Sequence, residues 1–264
     1  MKVVLFCGGL GTRLREYSET IPKPLVNIGP RPIIWNLMKY YAHFGHKDFI
    51  LCLGYRGDLL KQYFLDYNEC MSNDFTFSDG GKKIDLANND IHDWRITFVD
   101  TGLQSNIGQR LVAVKHLLEN EEMFLANYSD GLSDLPLPDF LARFEASKAV
   151  AGFLSVRPSQ SFHAVRTDGN GRVTDIEHVG GADIWINGGF FAIRPEIFKF
   201  FRPGEEMVEE PFRRLIPEGK LYTERYEGFW NAMDTFKDKK TFDSMHESGN
   251  MPWCVWRPQD KPRK

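Results

Sequence analysis

Cysteine is scarce in this chain of 264 residues, and basic residues do not outnumber acidic ones. The four cysteines, Cys7, Cys52, Cys70 and Cys254, form no Cys-x-x-Cys pair, which argues against a zinc site or a disulfide framework. Lysine and arginine number 33 against 36 acidic residues, so nucleic acid is not an expected partner. No apolar run has transmembrane length and no signal peptide is recognisable, so we expect a cytoplasmic protein without a membrane partner.

A short apolar segment and a glycine-rich loop open the chain. Residues 2–7 are rich in β-branched and aromatic side chains, which predicts a buried strand. Three glycines and a Thr-Arg pair follow: Gly8, Gly9, Gly11, Thr12 and Arg13. Glycine lets backbone N–H groups approach phosphate oxygens and arginine adds a bidentate positive charge, so this segment predicts a nucleotide-phosphate site. The P-loop lysine and the third glycine of the dinucleotide fingerprint are absent, and an ordinary strand-to-helix turn is the simpler alternative.

The first half of the chain alternates between strand and helix patterns. Strands are predicted at 2–7, 48–53, 95–99 and 123–126, helices at 33–45, 58–67 and 109–118, and an insertion with short β pieces at 68–92. This alternation is typical of the α/β class, and we expect a Rossmann-like, mixed but mainly parallel sheet flanked by helices. Ligands of such sheets bind beyond the carboxyl ends of the strands.

The second half is richer in strands. Strands are predicted at 150–157, 164–167, 172–177 and 185–193, a hairpin turn at 168–171, and helices at 195–201, 208–218 and 236–247. The polar, proline-bearing segment 257–264 is expected to be a frayed tail.

Three charged residues have local contexts suited to binding phosphate and metal. Lys23 lies between two prolines, whose restricted φ angles would hold its positive charge in place. Asp130, in a Ser-Asp-Gly turn after a predicted strand, could hold Mg²⁺ against phosphate oxygens. Asp234 precedes a predicted helix, where it could equally be an N-cap. Taken singly, the lysine and Asp130 are better explained as ordinary turn residues.

In this order and spacing, the motifs resemble those of the sugar-phosphate nucleotidylyltransferases, from Gly8 to Trp256. The matching stretches are 8–14, 23–24, 99–102, 108–111, 130–131, 185–191, 228–230 and 233–235. The stretches near 100, 185–191 and 228–235 resemble the cytidylyl branch, which acts on glucose 1-phosphate, more than the thymidylyl or guanylyl branches. The resemblance implies one domain over residues 1–256, with a nucleotide-binding half at 1–130 and a β-rich acceptor-binding half at 131–256.

The resemblance also implies roles for individual residues in a Mg²⁺-dependent reaction of CTP with a sugar 1-phosphate. Arg13 and Lys23 would be catalytic by holding the triphosphate and the incoming phosphate, and Asp130 and Asp234 would bind Mg²⁺. The residues implied for the nucleotide are Gly8, Gly9, Gly11, Thr12, Arg13, Thr101, Gly102 and Arg110. Those implied for the sugar are Glu177, Asn187 and Gly188. Relatives of this kind are usually homo-oligomers.

Two positions depart from the family pattern, both on the acceptor side. The family usually has Glu-Lys-Pro where this chain reads Glu177-His178-Val179, and it tends to have glycine where this chain has His163. Three alternatives follow. His163 and His178 could together replace the lysine for a hexose 1-phosphate, or the acceptor could be another phosphate or phosphonate. A catalytically silent, nucleotide-binding regulatory subunit is the alternative of another class, although Arg13, Lys23 and both aspartates are present.

Overall fold

A computed structural model describes residues 1–9, 21–159 and 162–257, and within them a central sheet of eight strands organises the chain. Its strands, in spatial order, are β15 (Leu221–Tyr226), β10 (Ala151–Val156), β13 (Ile186–Asn187) with β14 (Phe191–Ile193), β8 (Phe124–Asn127), β1 (Lys2–Phe6), β4 (Asp48–Leu53) and β7 (Arg95–Asp100). All neighbouring pairs are parallel except those made by β13 and β14. The predicted mixed, mainly parallel sheet is confirmed.

Helices cover both faces of this sheet. Their bounds are α1 (Ile33–His43), α2 (Gly57–Leu65), α3 (Ile107–Ala113), α4 (Leu137–Ser147), α5 (Glu210–Leu215) and α6 (Phe236–Glu247). Successive side chains of a strand point to opposite faces, and β1 follows this rule. Val3 and Leu5 join a core that includes α1, α4 and α6, whereas Val4 and Phe6 join a second core that includes α3 and α5. No described helix is long and apolar enough to span a membrane.

In the described part of the chain, four two-stranded ribbons lie outside the central sheet. They are β2 (Asn27–Ile28) with β3 (Arg31–Pro32), β5 (Phe75–Ser78) with β6 (Lys83–Leu86), β9 (Gly131–Ser133) with β16 (Trp230–Ala232), and β11 (His163–Thr167) with β12 (Val173–His178). The second pair confirms the insertion with short β pieces. The third pair joins two distant parts of the sequence and forms one wall of the site described below.

The strand predicted at 185–193 is wrong as one element, because the chain breaks into β13 and β14. Gly189 and Phe190 both have positive φ, 75° and 51°, so an extended strand cannot run through them. The Leu154 backbone bridges the break, donating to the Gly189 carbonyl and accepting from the Gly188 amide. The interruption places Gly188 in the wall of a cavity that is described in the next section.

Other predicted boundaries also change. The helix predicted at 109–118 begins at Ile107 and ends at Ala113, the one at 208–218 is confined to Glu210–Leu215, and residues 195–200 form a 3-10 helix. Helix α4 and strand β15 were not predicted. Strand β15 pairs along the whole of β10. Its Leu-Tyr-Thr-Glu-Arg-Tyr sequence does not alternate between apolar and polar residues, so the strand has no clear periodic signal.

Candidate active site

A cavity of about 370 Å³ opens at the carboxyl ends of β1 and β8. It lies where ligands of parallel sheets bind, because the loops after neighbouring parallel strands meet at one edge. Its lining residues come from the glycine loop, the Lys23 segment, the turn after β8, the break after β13 and the end of β16: Phe6, Cys7, Gly9, Lys23, Pro24, Ile107, Asn127, Tyr128, Ser129, Asp130, Gly131, Ile186, Asn187, Gly188, Trp230, Ala232 and Asp234.

Lys23 is the cationic centre of this cavity. Its Nζ lies 2.6 Å from Oδ2 of Asp130 and 2.6 Å from Oδ1 of Asp234. Its side chain is only 13% exposed. Burial alone would lower the pKa of Lys23, but the two carboxylates together outweigh burial and raise it, so the ammonium is charged at neutral pH. The backbone is fixed by a 3-10 turn over Lys23–Leu25, with proline on both sides of the lysine.

Asp130 is held by an unusual turn after β8. The preceding Ser129 has a positive φ of 68°, and its Oγ donates to the Phe6 carbonyl at 2.8 Å, which ties the turn to β1. Burial raises the pKa of the Asp130 carboxyl, and Lys23 opposes that shift. The aspartate therefore depends on a nearby cation to stay ionised in a partly buried place.

Asp234 reaches the same point because β9 and β16 pair. Ala232 lies opposite Gly131, and the Met233 amide donates to the Asp130 carbonyl at 2.9 Å. The second carboxylate therefore follows two residues beyond the last pair of the ribbon. Asp234 is not the N-cap of α6: Thr235 takes that position, its side chain accepting from the Asp238 amide in a capping box.

Asp134 supports the far end of this ribbon and was not singled out from the sequence. Its Oδ1 accepts from the Tyr226 hydroxyl at 2.5 Å and from the Phe229 amide at 2.8 Å. These bonds join the end of β15 to the beginning of β16, and so they hold the strand that leads to Asp234. An Asp three residues beyond a matched Asp-Gly pair gave no recognisable signal in the sequence.

The donor set is compatible with Mg²⁺. Asp130 and Asp234 converge on one point, since a single Nζ contacts both at 2.6 Å. Among the described residues there is no group of three or more His, Cys, Asp or Glu side chains that could hold a metal. The protein would thus supply two carboxylates, and water or phosphate the rest, which is how Mg²⁺ is usually bound beside phosphates.

Arg110 lies behind the glycine loop. Nη1 donates to Leu53 O, Thr101 Oγ1 and Gly102 O at 2.7–2.9 Å, while Nη2 donates to Gly8 O at 3.1 Å. Arg110 is only 2% exposed, and burial lowers the pKa of its guanidinium. The guanidinium thus joins the loops that follow β1, β4 and β7, and a Cβ on Gly8 would lie 2.1 Å from its Cζ.

Of the residues expected to contact the nucleotide, Gly9 lines the cavity, whereas Thr101 and Arg110 are buried beneath the loops. Among the described residues, no heavy atom lies within 4 Å of a Cβ added to Gly9. Burial raises the pKa of the neighbouring Cys7 thiol to about 12, which excludes it as a nucleophile at neutral pH. Gly11, Thr12 and Arg13 lie outside the described residues.

Asn187 and Gly188 form the wall of the cavity across from the glycine loop. Asn187 donates to the Tyr128 hydroxyl at 2.9 Å and accepts from the Gly189 amide at 2.9 Å, which fixes its side chain. The Trp230 indole donates to the Gly188 carbonyl at 2.8 Å. Tyr128 and Trp230 thereby shape this wall, and neither was named as a site residue from the sequence.

The β11–β12 hairpin carries the other residues expected on the acceptor side. His163 pairs with His178 across the strands, with ring centroids 5.6 Å apart. Both residues are exposed, and Glu177 accepts from Arg166 at 2.7 Å. None of His163, Glu177 and His178 is among the residues that line the cavity. The structure brings the two histidines together, but not in the wall of the cavity.

The comparisons with known proteins show that this chain is a nucleotidyltransferase. The chain belongs to the nucleotidyl transferase family, whose model matches residues 2–231. It is 36% identical to the glucose-1-phosphate cytidylyltransferase of Salmonella typhi over 97% of this chain and 100% of that protein, and equally to the one of Salmonella typhimurium. A solved UDP-glucose pyrophosphorylase complexed with UDP-glucose shares the fold, with a TM-score of 0.69, 16% identity, and coverage of 94% of this chain and 98% of that one.

Proposed function

We propose that this protein joins CTP and glucose 1-phosphate to give CDP-glucose and pyrophosphate, with Mg²⁺ bound by Asp130 and Asp234. The observation that carries the proposal is the cluster of Lys23 with the two aspartates on the wall of a cavity beside the glycine loop. The choice of CTP and of glucose 1-phosphate rests on the 36% identity to relatives of that name over nearly the whole chain.

The chemistry needs little from the protein beyond charge and position. A phosphate oxygen of the acceptor attacks the α-phosphorus, the bond from this phosphorus to the bridging oxygen breaks, and pyrophosphate leaves with that electron pair. The attacking oxygen is already anionic, so no general base is required. Mg²⁺, when bound, would offset the phosphate charge that the reaction brings together. The chain's own Lys23 would hold phosphate oxygens in line for the attack, and Arg13 is proposed to do the same.

A second candidate differs in the acceptor. His178 stands where the resembled family has a lysine, and the exposed histidine pair lies outside the cavity wall. These observations favour an acceptor whose phosphate is held differently, such as another sugar phosphate or a phosphonate. Glucose 1-phosphate as the acceptor would instead require the paired histidines to hold its phosphate, with two imidazole N–H donors in place of one ammonium.

The test is a pyrophosphate-release assay with CTP, UTP, dTTP, GTP and ATP against a panel of sugar phosphates and phosphonates. We expect the largest kcat/KM with CTP and glucose 1-phosphate, loss of activity with EDTA, and recovery with Mg²⁺. High turnover of another acceptor and poor turnover of glucose 1-phosphate would favour the second candidate. Nucleotide binding without pyrophosphate release from any pair would favour a regulatory subunit, and the proposed function would then be wrong.

A further inference from the structure

The position of Lys23 has a consequence for when a metal can bind. Its Nζ lies at hydrogen-bonding distance from both carboxylates that would hold the metal, 2.6 Å from each. A cation bound by both Asp130 and Asp234 would have to occupy the same space between them. A metal ion can bind between the two carboxylates only after the Lys23 ammonium has moved away.

The lysine is well held in this position. Val26 and Leu25 donate backbone hydrogen bonds to the carbonyls of Lys23 and Pro22, which closes the short turn that carries the side chain. The ammonium is largely shielded from water, and it offsets one of two negative charges, so the three side chains together carry a charge of −1. A free divalent ion would therefore be attracted by a smaller net negative charge, and the space between the two carboxylates would already hold the ammonium. Moving a largely buried ammonium away without giving it a new partner is costly in free energy.

We propose that Lys23 excludes divalent cations from the free protein, so that the metal enters only together with the nucleotide. The triphosphate would supply the new anionic partner that Lys23 needs in order to leave the carboxylates. Lys23 would then have two successive partners, the aspartates before the nucleotide arrives and phosphate oxygens afterwards. This inference rests on the proposed function, because it takes the two aspartates to be the metal ligands.

The test measures Mn²⁺ binding rather than turnover. Free Mn²⁺ is counted by electron paramagnetic resonance, and bound Mn²⁺ is detected by water-proton relaxation, first with MnCl₂ alone and then with MnCl₂ and CTP. For the unmodified protein we expect Mn²⁺ to bind at least about tenfold more tightly with CTP than without it. Lys23→Met keeps an unbranched side chain one atom shorter than lysine and removes the charge. Without CTP, this variant is expected to bind Mn²⁺ at least about tenfold more tightly than the unmodified protein.

Two control variants locate the effect. Lys23→Arg keeps a cation beside the aspartates and is expected to exclude Mn²⁺ as lysine does. The double variant Lys23→Met/Asp234→Asn removes one ligand and is expected to lose the gained Mn²⁺ affinity. Circular dichroism establishes that each variant is folded, and if Lys23→Met does not fold, the comparison of the unmodified protein with and without CTP decides.

Equal Mn²⁺ affinity of the unmodified protein with and without CTP would overturn the inference, as would equal affinity of folded Lys23→Met and the unmodified protein for Mn²⁺ alone. In both cases binding of Mn²⁺ in the presence of CTP leaves the proposed function standing. If the protein binds neither CTP nor Mn²⁺ with CTP, the inference and the proposed function both fail.

Discussion

The Met233 amide donates a hydrogen bond to the Asp130 carbonyl oxygen at 2.9 Å, across a span of more than a hundred residues of sequence. This bond continues the antiparallel ribbon of β9 and β16 by one residue. Because of it, the carboxylates of Asp130 and Asp234 emerge side by side and meet the same lysine. The site is thus assembled by backbone pairing, and the predictions below follow from how firmly that pairing is held.

The first prediction concerns the two carboxylates. Asp130→Ala and Asp234→Ala are each expected to lower kcat/KM for Mg²⁺-dependent pyrophosphate release by about a thousandfold, because the metal and Lys23 both lose a partner. Asp85→Asn, an exposed carboxylate on β6, is the matched control and should leave activity unchanged. Near-normal pyrophosphate release from either alanine variant would contradict a metal-binding role.

The second prediction concerns Asp134, which accepts hydrogen bonds from Tyr226 and Phe229. Asp134→Ala leaves both donors without this acceptor, and we expect unfolding free energy to fall by about 1–3 kcal/mol and kcat to fall with little change in KM for CTP. Asp134→Asn keeps a carbonyl oxygen at the same place. It should recover most of both quantities in urea unfolding and steady-state kinetics, and equal loss in the two variants would argue against an acceptor role.

The third prediction concerns Arg110 and the loops it joins. Arg110→Met leaves the carbonyls of Leu53, Gly102 and Gly8 without this donor, so we expect a loss of about 2–4 kcal/mol of stability. Arg110→Lys cannot reach all of them from one nitrogen and should recover only part. Urea unfolding with and without CTP measures both effects. A stable Arg110→Met variant with weakened CTP binding would instead favour direct contact with the nucleotide.

The fourth prediction concerns pH and His46. Burial, with the nearby positive N-terminus, lowers the pKa of His46 from 6.5 to about 4. The unfolded chain therefore binds more protons between these values, and stability falls as the pH drops from about 7 towards 4. Since part of the imidazole is in water, we expect this residue to account for about 1 kcal/mol of that loss. His46→Gln should show a smaller fall in the urea midpoint between pH 7 and 5 than the unmodified protein.

The fifth prediction concerns the acceptor. His178→Lys restores the residue that is usual in the resembled family. His178 lies on β12, and its ring faces that of His163 on β11. If glucose 1-phosphate is the acceptor, the longer, fully charged side chain should lower its KM by several-fold without changing the KM for CTP. His178→Gln is the neutral control. A lysine variant that binds glucose 1-phosphate more weakly would favour a different acceptor.

Much of the fold followed from local patterns. The strands at 2–7, 48–53 and 95–99 were predicted within one residue of their observed ends. The first two are short buried apolar runs, as is typical of inner parallel strands. The third is a partly exposed edge strand, but its Ile-Thr-Phe-Val run is still rich in strand-forming residues. The two-strand division of 185–193 was missed because its many apolar and aromatic residues outweighed the signal of Gly188 and Gly189, although glycine is unfavourable inside a strand. The positive φ of Gly189 and Phe190 separates β13 from β14.

The candidate site also has features that the sequence predicts and features that depend on the fold. The residue types and their order could be read from the sequence: a glycine loop, a lysine between prolines, one aspartate after a predicted strand and another before a predicted helix. It also indicated the nucleotidyl transferase family. The order of motifs is a property of the linear sequence, so these features could be recognised without a structure.

Only the tertiary structure decided which of these residues meet. It brought Lys23, Asp130 and Asp234 to one point through the pairing of β9 with β16, buried Arg110 beneath the loops, and left the histidine pair outside the cavity wall. Such contacts depend on long-range strand pairing and on burial, neither of which is encoded in the residues that flank each motif.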